Sequence, residues 1–176
     1  AEAEFNRSLR VRQMVKRAEA VIDARFSAVP ADFIEAKDLV IVDSNPVTPL
    51  EFITQQEMAQ ERNATYTTAS KPLFFSVVGS QFEFMPTPSI EYSLEMSYFA
   101  KIDALSGDSD TNWLLTDYPD LYLYTSLMHS APYLKDDERT VVWANLAQKA
   151  KEELIARDAS SSFNGSTPRI KVRSFG

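Results

Sequence analysis

Cysteine is absent from this 176-residue chain, which excludes disulfide staples and thiolate metal sites and fits assembly in a reducing cytoplasm. Glycine is scarce, at 4 residues, and they form neither a phosphate-cradling loop nor a dinucleotide fingerprint. The single histidine, His129, lacks partners at the spacing a metal site or catalytic triad needs. No stretch approaches the ~18 apolar residues of a membrane span. No charged-then-apolar leader opens the chain, so neither membrane anchor nor secretory signal is expected. Positive charge is also in deficit. Against 25 acids stand 18 Lys and Arg, and the net charge of −7 argues against a general nucleic-acid binder with a basic face.

What remains is enough for one domain with a real core, and the balance of 44% hydrophobic to 24% charged residues is that of a globular chain. The charge is uneven. Residues 1–29 carry six basic and four acidic side chains, whereas from Ser160 onward Arg169, Lys171 and Arg173 face no acid. Basic ends on an acidic body suggest that the ends are used, although solubility alone also accounts for them. Seven Tyr, eleven Phe and two Trp fit either an aromatic core or an interface.

Along the chain, Phe5, Leu9 and Val15 among Arg7, Arg10, Arg12, Lys16 and Arg17 predict a helix over 1–17. Residues 18–26 read equally as helix, from their alanines, or as strand, from Val21, Asp23 and Arg25 between apolar neighbours. The β-branched run within 38–43 predicts a strand that ends at the turn Ser44-Asn45-Pro46. Thr54 and Glu57 have capping-box spacing and predict a helix over 55–62. Ile90, Tyr92, Leu94, Met96 and Tyr98 alternate with Glu91, Ser93, Glu95 and Ser97, a strand over 90–99 with one wet face. Phe82 and Phe84 alternate in the same way over 81–85, and Pro86-Thr87-Pro88 is the loop of an antiparallel hairpin between the two. Residues 73–78 join that hairpin across Gly79-Ser80.

The last third reads as helical. Pro119 suits a first turn, Leu121, Leu123, Tyr124, Leu127 and Met128 give an apolar face, and Pro132 stops a helix over about 119–131. Asp136, Asp137 and Glu138 then place negative charge at the start of a helix over 136–158, whose buried stripe is Trp143, Leu146, Ala147, Ala150 and Leu154. Ser160-Ser161-Ser162 and Asn164 to Pro168 have loop composition, leaving 169–175 as an arm that awaits a partner. The fold class is therefore α+β: a helical bundle of the N-terminal helix and two C-terminal helices, interrupted by a central antiparallel sheet. One domain over 1–159 precedes an extended arm over 160–176.

Candidate chemistry is thin. Residues 107–112 begin like a calcium loop, but Trp113 stands where glycine is required and Pro119 where a bidentate glutamate is required. The three acids at 136–138 point in different directions on a helix and are expected to complement its dipole rather than to act as paired catalysts. No catalytic residue, metal ligand or cofactor is assigned.

Residues 111–124, Thr-Asn-Trp-Leu-Leu-Thr-Asp-Tyr-Pro-Asp-Leu-Tyr-Leu-Tyr, run into Ala131-Pro-Tyr-Leu-Lys-Asp-Asp-Glu-Arg139 and Trp143. This block resembles the head-to-tail adaptor (connector) proteins of short-tailed bacteriophages. Phe5 to Met14, Val29 to Glu35 and Lys71 to Phe84 resemble further parts of that family in the expected order. The resemblance implies a non-enzymatic virion protein at the head–tail junction, without cofactor or membrane contact. It implies a dodecameric ring of this chain beneath the portal protein that extends the DNA channel without reading sequence and offers a platform to a tail hub or nozzle protein. It favours strand over 20–28 and implies another short helical segment ahead of Ala1. Arg169, Ile170, Lys171, Val172, Arg173 and Phe175 are the candidate portal-binding residues. Other tail-hub or collar proteins, and a small cell-wall hydrolase, are the alternatives.

Overall fold

The structure, a computed structural model, describes residues 1–43, 46–134 and 137–162. The Ser44-Asn45 turn, Asp136, and the terminal arm from Phe163 lie outside the described residues, as do the side chains of 131–138. In chain order the elements are α1 (Glu2–Ser8), β1 (Val15–Ile22), β2 (Phe26–Ala28), β3 (Phe33–Ile41), β4 (Thr48–Pro49), β5 (Glu51–Phe52), α2 (Gln55–Ala64), β6 (Phe74–Val78), β7 (Gln81–Met85), β8 (Tyr92–Ala100), α3 (Trp113–Asp117), α4 (Pro119–Leu134) and α5 (Asp137–Ser162). The fold class is α+β. Among the described residues, 1–13 and those from Ile102 onward form one helical unit, and Met14–Lys101 form an inserted sheet unit.

The sheet unit stacks two four-stranded sheets, in the orders β1-β8-β3-β4 and β2-β7-β6-β5. The first is antiparallel throughout, while β5 joins the second as a parallel edge. Alternation explains the core: Leu94, Met96 and Tyr98 of β8 turn inward beside Ile22, Leu39 and Ile41, against Phe75, Phe82 and Phe84 of the second sheet. Phe33 reaches across, meeting Phe82 edge-on at 5.3 Å and stacking on Tyr98 at 5.9 Å. The β6–β7 hairpin turns through Gly79, whose φ of +61° is strained for any residue with a Cβ. The capping box of α2 is formed, with Thr54 accepting from the Glu57 amide and Glu57 from the Thr54 amide.

Several expectations are corrected. The helix read over 1–17 ends at Ser8, and Val15–Ile22 is strand β1, paired in register with β8 from Val15↔Phe99 to Ile22↔Tyr92. The alanines that suggested helix, Ala18 and Ala20, oppose Met96 and Leu94 on β8, and Ala18 packs against the core. Sheet pairing outweighs a helix preference of a few tenths of a kcal/mol per residue. The single strand read over 20–28 is two, because the chain leaves one sheet after Ile22 and enters the other at Phe26.

The hairpin read between 81–85 and 90–99 does not form. β7 pairs with β2 and β6, whereas β8 lies between β1 and β3 in the opposite sheet. Alternation tells each strand which face is buried; it does not tell a hydrogen-bonded neighbour from a strand facing it across a core. Ile90 precedes the strand and is 65% exposed.

In the helical unit, Pro132 does not stop α4 at once, and the helix outlasts it by two residues, to Leu134. Ser160–Ser162 are helical rather than loop, as the last turn of α5. Ala147, Ala150 and Leu154 are buried as expected, but Leu123 and Leu146 face outward. The Asn-Trp-Leu-Leu turn has a structural reason. Buried Asn112 caps α3 by accepting from the Leu115 amide at 2.9 Å, and its Nδ2 donates to the Asp103 carbonyl and the Tyr122 hydroxyl, both at 2.8 Å. Tyr122 in turn meets Phe5 of α1 edge-on at 5.0 Å. Burial, more than nearby Glu2, pushes the Tyr122 hydroxyl above its usual range, and the Asn112 hydrogen bond opposes that shift.

Candidate functional site

Of the residues weighed for chemistry, His129 and the 107–112 loop make structural contacts, while Asp136 and the side chains of 137 and 138 lie outside the described residues. His129 of α4 meets Glu4 of α1, Nε2 to Oε2 at 2.7 Å, with both side chains partly exposed. The calcium-like loop closes on itself. Asp110 accepts from the Ser106 hydroxyl at 2.8 Å and from the amides of Ser106 and Gly107 at 2.9 and 2.8 Å. These bonds, the Ser106 hydroxyl first, hold its carboxyl below the usual range. Among the described residues no group of three or more His, Cys, Asp or Glu is placed to hold a metal. The arm residues Arg169, Ile170, Lys171, Val172, Arg173 and Phe175 lie outside the described residues.

Six of the aromatic residues belong to the interior: Phe5, Phe75, Phe82, Phe84, Tyr98 and Tyr122 are buried. Two phenylalanines break the pattern, Phe26 on β2 and Phe52 on β5, at 44% and 57% exposure. Phe52 stands at the mouth of a cavity of about 420 Å³ in the sheet unit, lined by Phe33, Ala36, Leu50, Phe75 and Val77 with Glu35, Lys37 and Asp38 around it. The Phe52 ring meets Phe75 edge-on at 5.5 Å. An apolar opening with a charged rim is the usual form of a recognition surface. β5 is only two residues long, and neither it nor the cavity gave a signal in the sequence.

The second feature that sequence reasoning missed is a buried charge cluster. Glu83 points out of β7 on the face opposite the core, where its Oε1 accepts from Arg25 Nε at 2.9 Å and Nη2 at 2.7 Å, and from Arg62 Nη2 at 2.7 Å. The Glu83 side chain is 9% exposed and that of Arg62 19%. Three segments meet here, the sheet-to-sheet crossing, α2 and β7. Arg25 also lies over the Phe26 ring at 4.9 Å. Only the hydrophilic interruption at Glu83 between Phe82 and Phe84 hinted at it, and that reads equally as a wet strand face.

Asp32 forms a smaller node. Burial would raise its pKa, but hydrogen bonds from Lys16 and Tyr98, with the Lys16 charge, outweigh burial and leave the carboxyl below its ordinary value. It therefore ties β1 and β8 to the start of β3.

No constellation of nucleophile, base and oxyanion donors is assembled by these groups. They are the fastenings of a scaffold that also has an apolar cavity and open strand edges among its described residues. A comparison with curated proteins found no match. Residues 1–170 match the SU10 adaptor protein family, nearly the whole chain, and the protein therefore belongs to that family of structural phage adaptor proteins.

Proposed function

We propose that this chain is a structural, non-catalytic component of the virion that forms a ring between the portal protein and the tail. The ring extends the DNA channel and provides the platform to which the tail attaches. The observation that carries this reading is the family match over residues 1–170. The physical features agree with it. A net charge of −7 suits a conduit that must let phosphates slide past, since basic linings hold DNA tightly. A ring of twelve copies needs side-by-side heterologous contacts, and an inserted sheet unit with open edges offers them.

In this proposal the arm docks the ring to the portal. Arg169, Lys171 and Arg173 alternate with Ile170 and Val172, and Phe175 follows. Such a segment can lie as an added strand in a groove, with apolar residues on one side and charge on the other. Truncation after Ser162 is expected to abolish docking to portal rings in a sedimentation assay and to leave the thermal unfolding curve essentially unchanged. Docking by the truncated chain at the affinity of the full chain overturns the assignment of the arm.

A further inference from the structure

Among the described residues, the sheet β1-β8-β3-β4 has two open edges. On one side β1 is the outermost strand over all its 8 residues, Val15–Ile22. On the other, β4 covers β3 only at Val40 and Ile41, so the stretch from Phe33 to Asp38 has no strand beyond it among the described residues. Soluble proteins keep such edges short or blunt them with charge and bulges, because a row of outward amides and carbonyls recruits further strands. Here β1 carries Lys16 and Arg17, and β3 shifts register at Phe33/Glu35 and Ala36/Asp38, so that a matching, oppositely charged strand is the partner these edges admit. Here the two edges run parallel to each other, since each is antiparallel to β8 between them.

The edges are complementary. β1 carries Lys16 and Arg17 against Glu19, an excess of one positive charge, while Phe33–Asp38 carries Glu35 and Asp38 against Lys37, an excess of one negative charge. Within the chain Lys16 pairs with Asp32 at 2.9 Å and Arg17 with Glu95 at 3.6 Å, the Arg17 side chain staying 79% exposed and so open to a second carboxylate. The acidic edge is also the mouth of the apolar cavity, with Phe52 half out of it. Val21, 60% exposed on β1, and Phe26, 44% exposed on the adjoining β2, are the apolar residues of the basic side.

We propose that the two edges are the halves of one contact between copies of this chain: β1 of one copy adds as a parallel strand beside Phe33–Asp38 of the next. The added strand covers the Phe52 mouth, and Arg17 meets the acidic rim. Because the halves differ and lie on opposite sides of one sheet, the contact is head-to-tail, and its repetition closes a ring or grows without end. The inference rests on the reading of the chain as a ring former and assigns that ring's contact surface.

The test uses the absence of native cysteine. Glu19 on β1 and Lys37 on β3 are exposed, and the double variant E19C/K37C is treated with a short bismaleimide at high protein concentration. A ladder of covalent multimers is expected from the double variant, with monomer alone from either single variant. R17C/K37C serves in the same way if E19C unfolds. Cross-linked dimers from a single variant indicate a two-fold contact and overturn the head-to-tail assignment. Multimers in sedimentation with no cross-links leave the ring reading standing and overturn this choice of surface. Monomer by both methods overturns the surface and the self-assembly together.

Discussion

Replacing Glu83 with alanine is expected to destabilise the sheet unit by about 3–5 kcal/mol, the usual cost of removing one partner from a buried ion pair. The effect is large because one carboxylate serves two guanidiniums. Its Oε1 accepts all three hydrogen bonds from Arg25 and Arg62, and the Nε of Arg62 is already buried without a partner. Burial, then the nearby Arg25 charge, pulls the Arg62 pKa below its ordinary value, and the Glu83 charge is what opposes them. Without it, the two guanidiniums face each other with no counter-charge, Arg62 largely buried and Arg25 44% exposed. Glu83→Gln keeps the shape and one acceptor but loses the charge, and it falls between alanine and the wild type. The paired change Glu83→Met with Arg62→Met removes both the charge and its need for a partner, so it recovers most of the loss. Urea unfolding followed by far-ultraviolet circular dichroism reads the effect. A Glu83→Ala chain within about 0.5 kcal/mol of the wild type, the range of an ordinary surface change, contradicts the assignment.

The second large effect is expected at Phe84, which is fully buried on β7 among Phe82, Met96 and the other residues that face one another between the sheets. Phe84→Ala removes most of a ring from a close-packed interior and leaves a cavity that rigid strands on both sides cannot fill. A loss of about 3–5 kcal/mol follows. Phe84→Leu retains most of the volume and is expected to cost no more than about 1.5 kcal/mol. Both tryptophans, Trp113 and Trp143, belong to the helical unit, so their fluorescence separates its unfolding from that of the sheets. Equal costs for the two substitutions contradict a packed core at this position.

How much of this was legible depended on whether the information was local. The β6–β7 hairpin was, because Gly79 at the turn and alternation on either side are local signals. So was α2, whose start is fixed by Thr54 and Glu57 three residues apart. The order α-sheet-α was legible too, from the change of hydrophobic period along the chain. β1 was not, since Val15–Ile22 is a strand only because β8, whose paired residues lie 70 to 84 positions later, lies beside it. The stacking of β7 against β8, rather than their pairing, depends on where the chain crosses between sheets after Met85, and both arrangements require the same alternation. Glu83 draws its partners from 58 residues before it and 21 residues before it, and no local pattern announces them. Sequence reasoning placed the functional residues in the terminal arm, whereas the described residues direct attention to the sheet unit.

The central claim, a ring that docks beneath a portal, is tested most directly by electron microscopy of portal rings from the same phage, alone and mixed with this chain. A second ring stacked coaxially on the portal in the mixture, of matching symmetry, is the predicted result. Portals that remain undecorated at a large excess of the full-length chain contradict it.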